Sequence, residues 1–149
     1  MKTIAYKSGY KYQLSVDYTH DSIGIEPEKD ADLYYLRLNT KGDLFIRSGY
    51  AWDGPSGPAI DTKNFMRASL VHDALYQLMR EGYVSRYKYR DKADRLMQII
   101  CREDGMSRIR ASWVYYGVKW FAKSASDTVN KRPVIYAPAE PEEPPNIEP

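Results

Sequence analysis

The chain has 149 residues, with 22 Lys and Arg against 20 Asp and Glu, so its formal net charge is +2. This length holds one domain with a modest core, and 43% hydrophobic and 28% charged residues exclude collagen-like and wholly disordered chains. The single cysteine, Cys101, excludes a disulfide-framed secreted scaffold. No apolar run approaches the roughly 18 residues of a membrane span, and no signal peptide opens the chain. We therefore predict a cytoplasmic location.

The first fifty residues carry the alternation that is typical of strands. Apolar or aromatic side chains occupy every second position across residues 12–18, and residues 33–38 show a similar pattern. Residues 39–43 form a polar turn that contains a glycine, after which residues 44–47 are expected to run back as the paired strand. The pattern predicts a small antiparallel sheet, interrupted by a loop over residues 17–32.

Helical signals dominate the second half of the chain. A loop at residues 48–58 comes first, because its three glycines and two prolines exclude regular structure. The periodicity then predicts a helix over residues 65–80, a second over 85–103 and a third that begins after Ser107. We therefore predict an α+β fold, in which an N-terminal antiparallel β-sheet or hairpin precedes three α-helices and the first two helices form an antiparallel pair.

One globular domain is expected over residues 1–136, followed by a disordered tail over residues 137–149, which hold five Pro and four Glu. Without this tail the chain has 22 basic and 16 acidic residues, so the folded part is mildly basic. A basic surface favours contact with anionic phospholipid headgroups or nucleic acid. The Arg and Lys residues of the second and third helices surround those helices without forming a stripe, which disfavours nucleic acid as a partner.

A histidine lies in the middle of the first predicted helix, in the segment His72-Asp73-Ala74-Leu75-Tyr76. Tyr76 shares its face because the two are four residues apart, and Asp73 lies to one side. A histidine with an ordinary pKa near 6.5 can take a proton from water if a carboxylate orients its ring. Asp73 can instead hold a hard cation together with loop carbonyls, because Ca²⁺ prefers oxygen ligands.

The second predicted helix offers Asp94 as the orienting carboxylate. Asp94 lies at the edge of a buried stripe that includes Ala93 and Met97, whereas Asp91 is flanked by charged residues and is expected to be solvated. If the helices pack antiparallel, Asp94 can approach His72 across their interface. The same groups can also form a polar network that fixes the helix pair and does no chemistry, and the residues alone leave both interpretations open.

These motifs resemble a family of small tailed-phage and prophage proteins known as a domain of unknown function. The resemblance covers roughly residues 40–122. It is carried by residues 49–56, by the segment His72-Asp73-Ala74-Leu75-Tyr76, by Ser85-Arg86 and by Ala93-Asp94-Arg95. It implies a phage protein of the host cytoplasm, with virion proteins as candidate partners.

The order of the motifs is also similar to that of the phospholipase A2 superfamily, especially the disulfide-free domain of parvovirus capsid proteins. Those enzymes have a Gly-rich calcium loop, a helix with His-Asp-x-x-Tyr and an antiparallel helix with Ala-Asp. The resemblance implies that His72 activates a water that attacks the sn-2 ester of a phospholipid. Asp94 would orient the imidazole, and Tyr76 would form a hydrogen bond within the Asp94 network.

The same resemblance implies a bound Ca²⁺ ion. The ion would be held by the Asp73 carboxylate and by carbonyls of the loop, and it would polarise the ester. The loop carbonyls are those around Trp52, Gly54 and Gly57. An alternative role for this loop is that Tyr50 and Trp52 simply cover the helix pair while the glycines make turns.

Two functional interpretations follow. One is a phospholipase A2-like hydrolase that acts, with Ca²⁺, at a phospholipid membrane surface. The other is a non-enzymatic virion or tail-associated phage protein that uses the His/Asp network structurally. No stretch shows an obvious exposed apolar patch for a bilayer, and core packing is the preferred interpretation of Trp113, Trp120 and Phe121, with an acyl groove as the alternative.

Overall fold

A computed structural model describes residues 4–6, 11–54, 63–121 and 135–137, with side chains for 11–54 and 63–119. The described strands form three antiparallel sheets. β1 pairs with β8, β2 pairs with β7, and a four-stranded sheet has the order β3-β6-β5-β4. The strands are β1 (Ile4–Tyr6), β2 (Tyr12–Gln13), β3 (Tyr18–His20), β4 (Ala31–Asp32), β5 (Leu36–Leu38), β6 (Leu44–Ile46), β7 (Ala51–Trp52) and β8 (Ile135–Ala137).

Three helices follow β7: α1 (Lys63–Arg80), α2 (Arg86–Glu103) and α3 (Arg108–Phe121). This order confirms the predicted α+β class and the three predicted helices. The Ser85 hydroxyl caps α2 by accepting a hydrogen bond from the Lys88 N–H. Ser107 does the same for the Arg110 N–H at the start of α3.

The four-stranded sheet turns one face to the core. Leu36 lies opposite Ile46 and Leu38 opposite Leu44, and all four side chains are buried. The intervening residues, Arg37 and Phe45, alternate to the other face. This alternation is the period-two pattern of the sequence, realised in β5 and β6.

The predicted strand over residues 12–18 is wrong, because β2 ends at Gln13 and β3 begins at Tyr18. Val16, between them, is exposed, and the Asp17 carboxylate accepts a hydrogen bond from the Ser48 N–H. The alternation of apolar residues therefore spans two short strands that pair with different partners.

Residues 33–38 also differ from the predicted single strand. Leu33 N–H bonds the Leu36 carbonyl at 2.8 Å, so Tyr34 and Tyr35 form the tip of a two-residue hairpin loop between β4 and β5. Both tyrosines are exposed. Strands β3 and β4 occupy part of the predicted loop over residues 17–32.

Strand β8 is a further difference, since the sequence showed no periodicity there. It includes Ala137, the first residue of the predicted tail, which pairs with Ile4. Residues 138–149 lie outside the described residues.

Side-chain contacts show that α1 and α2 pack antiparallel. Arg67 near the start of α1 bonds Asp104 at the end of α2, with N···O distances of 2.8 to 3.1 Å, and Tyr76 further along α1 reaches Asp94. The Arg67 guanidinium also lies 3.4 Å from the Tyr18 hydroxyl, which ties the helix pair to the sheet. Buried residues of the sheet and all three helices form one apolar cluster.

Two sequence-based expectations about the core have opposite outcomes. Cys101 is fully buried, and burial raises the pKa of its thiol to about 12, so it acts as the small apolar residue that we predicted. Trp113 is exposed, so its predicted core packing is wrong. The side chains of Trp120 and Phe121 lie outside the described residues. In the described part of the chain, no helix combines the length and hydropathy that crossing a bilayer requires.

Candidate functional site

Helices α1 and α2 bring three predicted site residues together. His72 Nε2 lies 2.8 Å from Asp94 Oδ1, and the Tyr76 hydroxyl donates to the same oxygen at 2.6 Å. His72 retains 6% of its surface exposure and Asp94 none. The carboxylate is therefore removed from water and is satisfied on one oxygen by two donors from the facing helix.

Helical spacing positions the two donors. His72 and Tyr76 are four residues apart on α1, and their rings stack with centroids 4.0 Å apart, tilted by 37°. A carboxylate only accepts hydrogen bonds, so His72 Nε2 carries the proton in the neutral ring and Nδ1 has the free lone pair. Nδ1 faces Asp73, whose Oδ1 lies 3.9 Å away.

The site also contains Arg90, which the sequence did not indicate, beside the predicted Asp94. Asp94 Oδ2 and Arg90 Nη1 are buried atoms with no hydrogen-bond partner among the described residues. Arg90 lies one turn before Asp94 on α2, and its charge opposes the rise in the pKa of Tyr76. No motif in the sequence pointed to Arg90.

The electrostatics raise the pKa values of both His72 and Tyr76. Burial lowers the pKa of His72, but the carboxylates of Asp73 and Asp94 outweigh it and hold that pKa above 6.5. Burial and the bond to Asp94 raise the pKa of Tyr76 well above 10, so its hydroxyl stays a donor.

This shift predicts that stability depends on pH through His72. The folded-state pKa is above the unfolded value, so the stabilisation is complete below pH 6.5 and is lost as pH rises through the folded value. We expect the free energy of unfolding to fall in that window by at most about 1.4 kcal/mol per pH unit. Urea titrations of wild type and His72→Gln measure it. An equal pH dependence in the two proteins would contradict the assignment.

The first part of the predicted loop contains the short strand β7, contrary to the prediction of no regular structure, and it is anchored to α1 on both sides of Asp73. Trp52 Nε1 donates to Ser69 Oγ at 3.1 Å, and the Tyr50 hydroxyl donates to Gln77 Oε1 at 3.0 Å. Ser69 precedes Asp73 by four residues and Gln77 follows it by four, so all three share one helix face. The start of the loop thus lies over Asp73. Its aromatic side chains cover α1, as the alternative role predicted.

Gly54 lets the chain turn beside this anchor. Its φ is +73°, and a Cβ there would lie 2.6 Å from Cε2 of Tyr12, whose ring packs on Trp52 with centroids 5.5 Å apart. Both the backbone conformation and the close approach therefore favour glycine.

Gly54→Ala is expected to lower the free energy of unfolding by about 2–3 kcal/mol. An alanine is strained at this positive φ, and its methyl group must also displace the Tyr12 ring. Gly82→Ala is the matched control, because Gly82 has φ +83° and no atom within 4 Å of the added Cβ. It should cost about 1 kcal/mol, the conformational part alone. Chemical denaturation measures both, and equal losses would show that contact with Tyr12 contributes nothing.

The predicted calcium ligands are only partly described. Asp73 offers a carboxylate with a side chain 31% exposed, and Trp52 offers a carbonyl that already accepts a hydrogen bond from the Lys11 N–H at 3.2 Å. Gly54 is the last residue of the described segment, and Gly57 lies outside the described residues. Among described side chains, no group of three His, Cys, Asp or Glu residues is arranged to hold a metal ion.

This is an α+β protein with a buried His-Asp-Tyr network between two antiparallel helices. The chain belongs to the family described as "Protein of unknown function (DUF1353)", whose model matches residues 29–118, more than half of its length. That range includes the four-stranded sheet from β4 onwards, the whole of α1 and α2, and all three residues of the network. Neither curated proteins nor solved structures give a match to this chain.

Proposed function

We propose that this protein hydrolyses phospholipid esters with a water molecule activated by His72. The observation that carries the proposal is the 2.8 Å contact of His72 Nε2 with Asp94, which leaves Nδ1 on the side of Asp73. A histidine held at one nitrogen by a buried carboxylate, with its other nitrogen available, is the arrangement that general-base catalysis needs. The similarity of motif order to the phospholipase A2 superfamily supplies the substrate class.

In the proposed reaction, His72 Nδ1 takes a proton from water as the water oxygen attacks the ester carbonyl. Asp94 stabilises the imidazolium that forms, and Tyr76 keeps the carboxylate oriented by donating to the same oxygen. The tetrahedral intermediate then collapses, the C–O bond to the alcohol breaks, and the imidazolium returns its proton to the leaving oxygen. The products are a fatty acid and the alcohol, with no covalent enzyme intermediate.

Calcium is part of the proposal, and the donor chemistry fits it. Asp73 and the carbonyls of the described start of the loop would supply oxygen ligands, which suit Ca²⁺, and the anchors at Ser69 and Gln77 hold the start of the loop over the Asp73 face. Among the described contacts, Asp73 is the one carboxylate next to His72 Nδ1. Most of the other calcium ligands would therefore be backbone carbonyls. When bound, the ion would polarise the ester carbonyl and stabilise its developing negative charge.

Release of fatty acid from phospholipid vesicles tests the proposal. The full chain should release fatty acid in millimolar CaCl₂ and should lose most of that activity in excess chelator. Vesicles of ether-linked lipid serve as the control, because they present the same headgroups without a cleavable ester. The absence of fatty acid release with calcium present would reject the proposed activity.

A structural role is the second candidate, and the 6% exposure of His72 favours it. In that case the network holds α1 against α2 in a non-enzymatic phage protein, associated with the virion or its tail, and its groups never meet a substrate. The resemblance to phage and prophage proteins supports this context and a location in the host cytoplasm. Absence of turnover, combined with a large stability loss on removing Asp94, would support this candidate.

A further inference from the structure

Helix α3 exposes a stripe of large apolar side chains. Ile109, Trp113 and Tyr116 are 86%, 60% and 56% exposed. Because they are four and three residues apart, they lie on one face of the helix. The opposite face is buried through Ala111, Val114 and other residues. The helix is therefore apolar on two sides, one packed against the protein and one turned to solvent, contrary to the sequence-based expectation that no apolar patch is exposed.

Basic residues border this stripe on both sides. The α3 sequence RIRASWVYYGVKWF contains three basic residues and no acidic one. At about 100° per residue, Arg108 and Lys119 fall on one flank of the stripe and Arg110 falls on the other. Lys119 Nζ lies 3.7 Å from Asp91 on α2, yet its side chain remains 41% exposed. The face thus combines apolar side chains with a positive border.

We propose that this face of α3 docks on the surface of an anionic phospholipid bilayer. Tryptophan and tyrosine favour the interface between lipid tails and headgroups, and flanking Arg and Lys residues are attracted to anionic headgroups. A helix held by the fold with this face outward can lie in the plane of that interface. The charge of the flanks selects an acidic surface over a neutral one. Docking is independent of ester hydrolysis and would occur in a protein without turnover.

Vesicle sedimentation in chelator tests the docking while calcium-dependent hydrolysis is suppressed. The full chain should sediment with phosphatidylglycerol vesicles, should bind phosphatidylcholine vesicles much more weakly, and should be released from the acidic vesicles by high salt. The double variant Trp113→Ser with Tyr116→Ser should lower the partition coefficient about tenfold or more, because it removes two side chains that would insert. Arg108→Glu should lower it as well.

Tyr87→Ser is the matched control, since Tyr87 on α2 is 92% exposed and lies outside the stripe. Its partition coefficient should equal that of wild type. Unaltered binding by the double variant, or the lack of any binding by wild type to phosphatidylglycerol, would overturn the proposal. So would a wild-type dimer in sedimentation velocity that the double variant converts to monomer, because a second copy of the chain would then cover the stripe. If the wild-type protein binds these vesicles but releases no fatty acid when calcium is added, the proposed hydrolysis is rejected and the docking proposal stands.

Discussion

Asp94→Ala is expected to lower the free energy of unfolding by about 3–5 kcal/mol, the largest loss that we predict for a single side chain. The substitution leaves the His72 imidazole and the Tyr76 hydroxyl buried between two helices without their acceptor. Unsatisfied buried donors of this kind carry a full desolvation penalty. Denaturation with guanidinium chloride at neutral pH measures the effect.

The loss should depend on burial and not on the removal of a carboxylate from α2. Asp91→Ala, one turn earlier, is therefore the control. Asp91 bonds Tyr115 and Arg95, but its side chain is 49% exposed, so its removal should cost about 1 kcal/mol or less. Asp94→Asn keeps one oxygen acceptor and should fall between the two. If Asp91→Ala proved as costly as Asp94→Ala, the network would not be the element that holds α1 against α2.

His72→Gln is expected to reduce fatty acid release by about a hundredfold to ten-thousandfold, because glutamine cannot take the proton from the attacking water. Stability should change much less, since the glutamine amide can still donate to Asp94. Initial rates on phospholipid vesicles with CaCl₂ measure the activity, and denaturation of the same preparations measures the stability.

The wild-type rate should also depend on pH. Only the neutral imidazole accepts a proton, and the pKa of His72 is held above 6.5, so the rate should still be rising as pH increases past that value. His20→Gln is the control, because His20 lies in β3 and bonds Tyr18 at 3.0 Å. Its rate should match wild type. Equal rate losses in the two histidine variants would contradict the assignment of His72.

Local signals were enough to predict the helical half of the fold. Gly82 marks the end of α1, and Ser85 and Ser107 mark the starts of α2 and α3. Each of these residues acts within one helical turn of its own position. The pairing of His72 with Tyr76 also follows from the four-residue spacing of a helix. The prediction that Asp94 can reach His72 needed one further step, the antiparallel packing of two helices joined by a short connection.

The strands were predicted less well, because a period of two shows which side chains are buried but not where a ladder breaks or which strand is its partner. The alternation through Val16 continued across the gap between β2 and β3, and the tyrosines at 34 and 35 formed a hairpin loop. Pairing partners are set by contacts between distant parts of the chain. The β1–β8 pairing joins the two ends of the described chain, and no local sequence pattern predicted it.

Local patterns in the sequence predicted the α+β class and the three helices, and they placed His72, Tyr76 and Asp94 near one another, as their hydrogen bonds show. How deeply that group is buried, which of its atoms meet and which apolar residues stay exposed depend on tertiary packing. Trp113 shows the reason: we predicted that it packs in the core, but apolar residues lie on two faces of α3, and only the packing of α3 decides which face is buried. Burial depends on neighbours that are far away in the chain, and a local pattern carries no information about them.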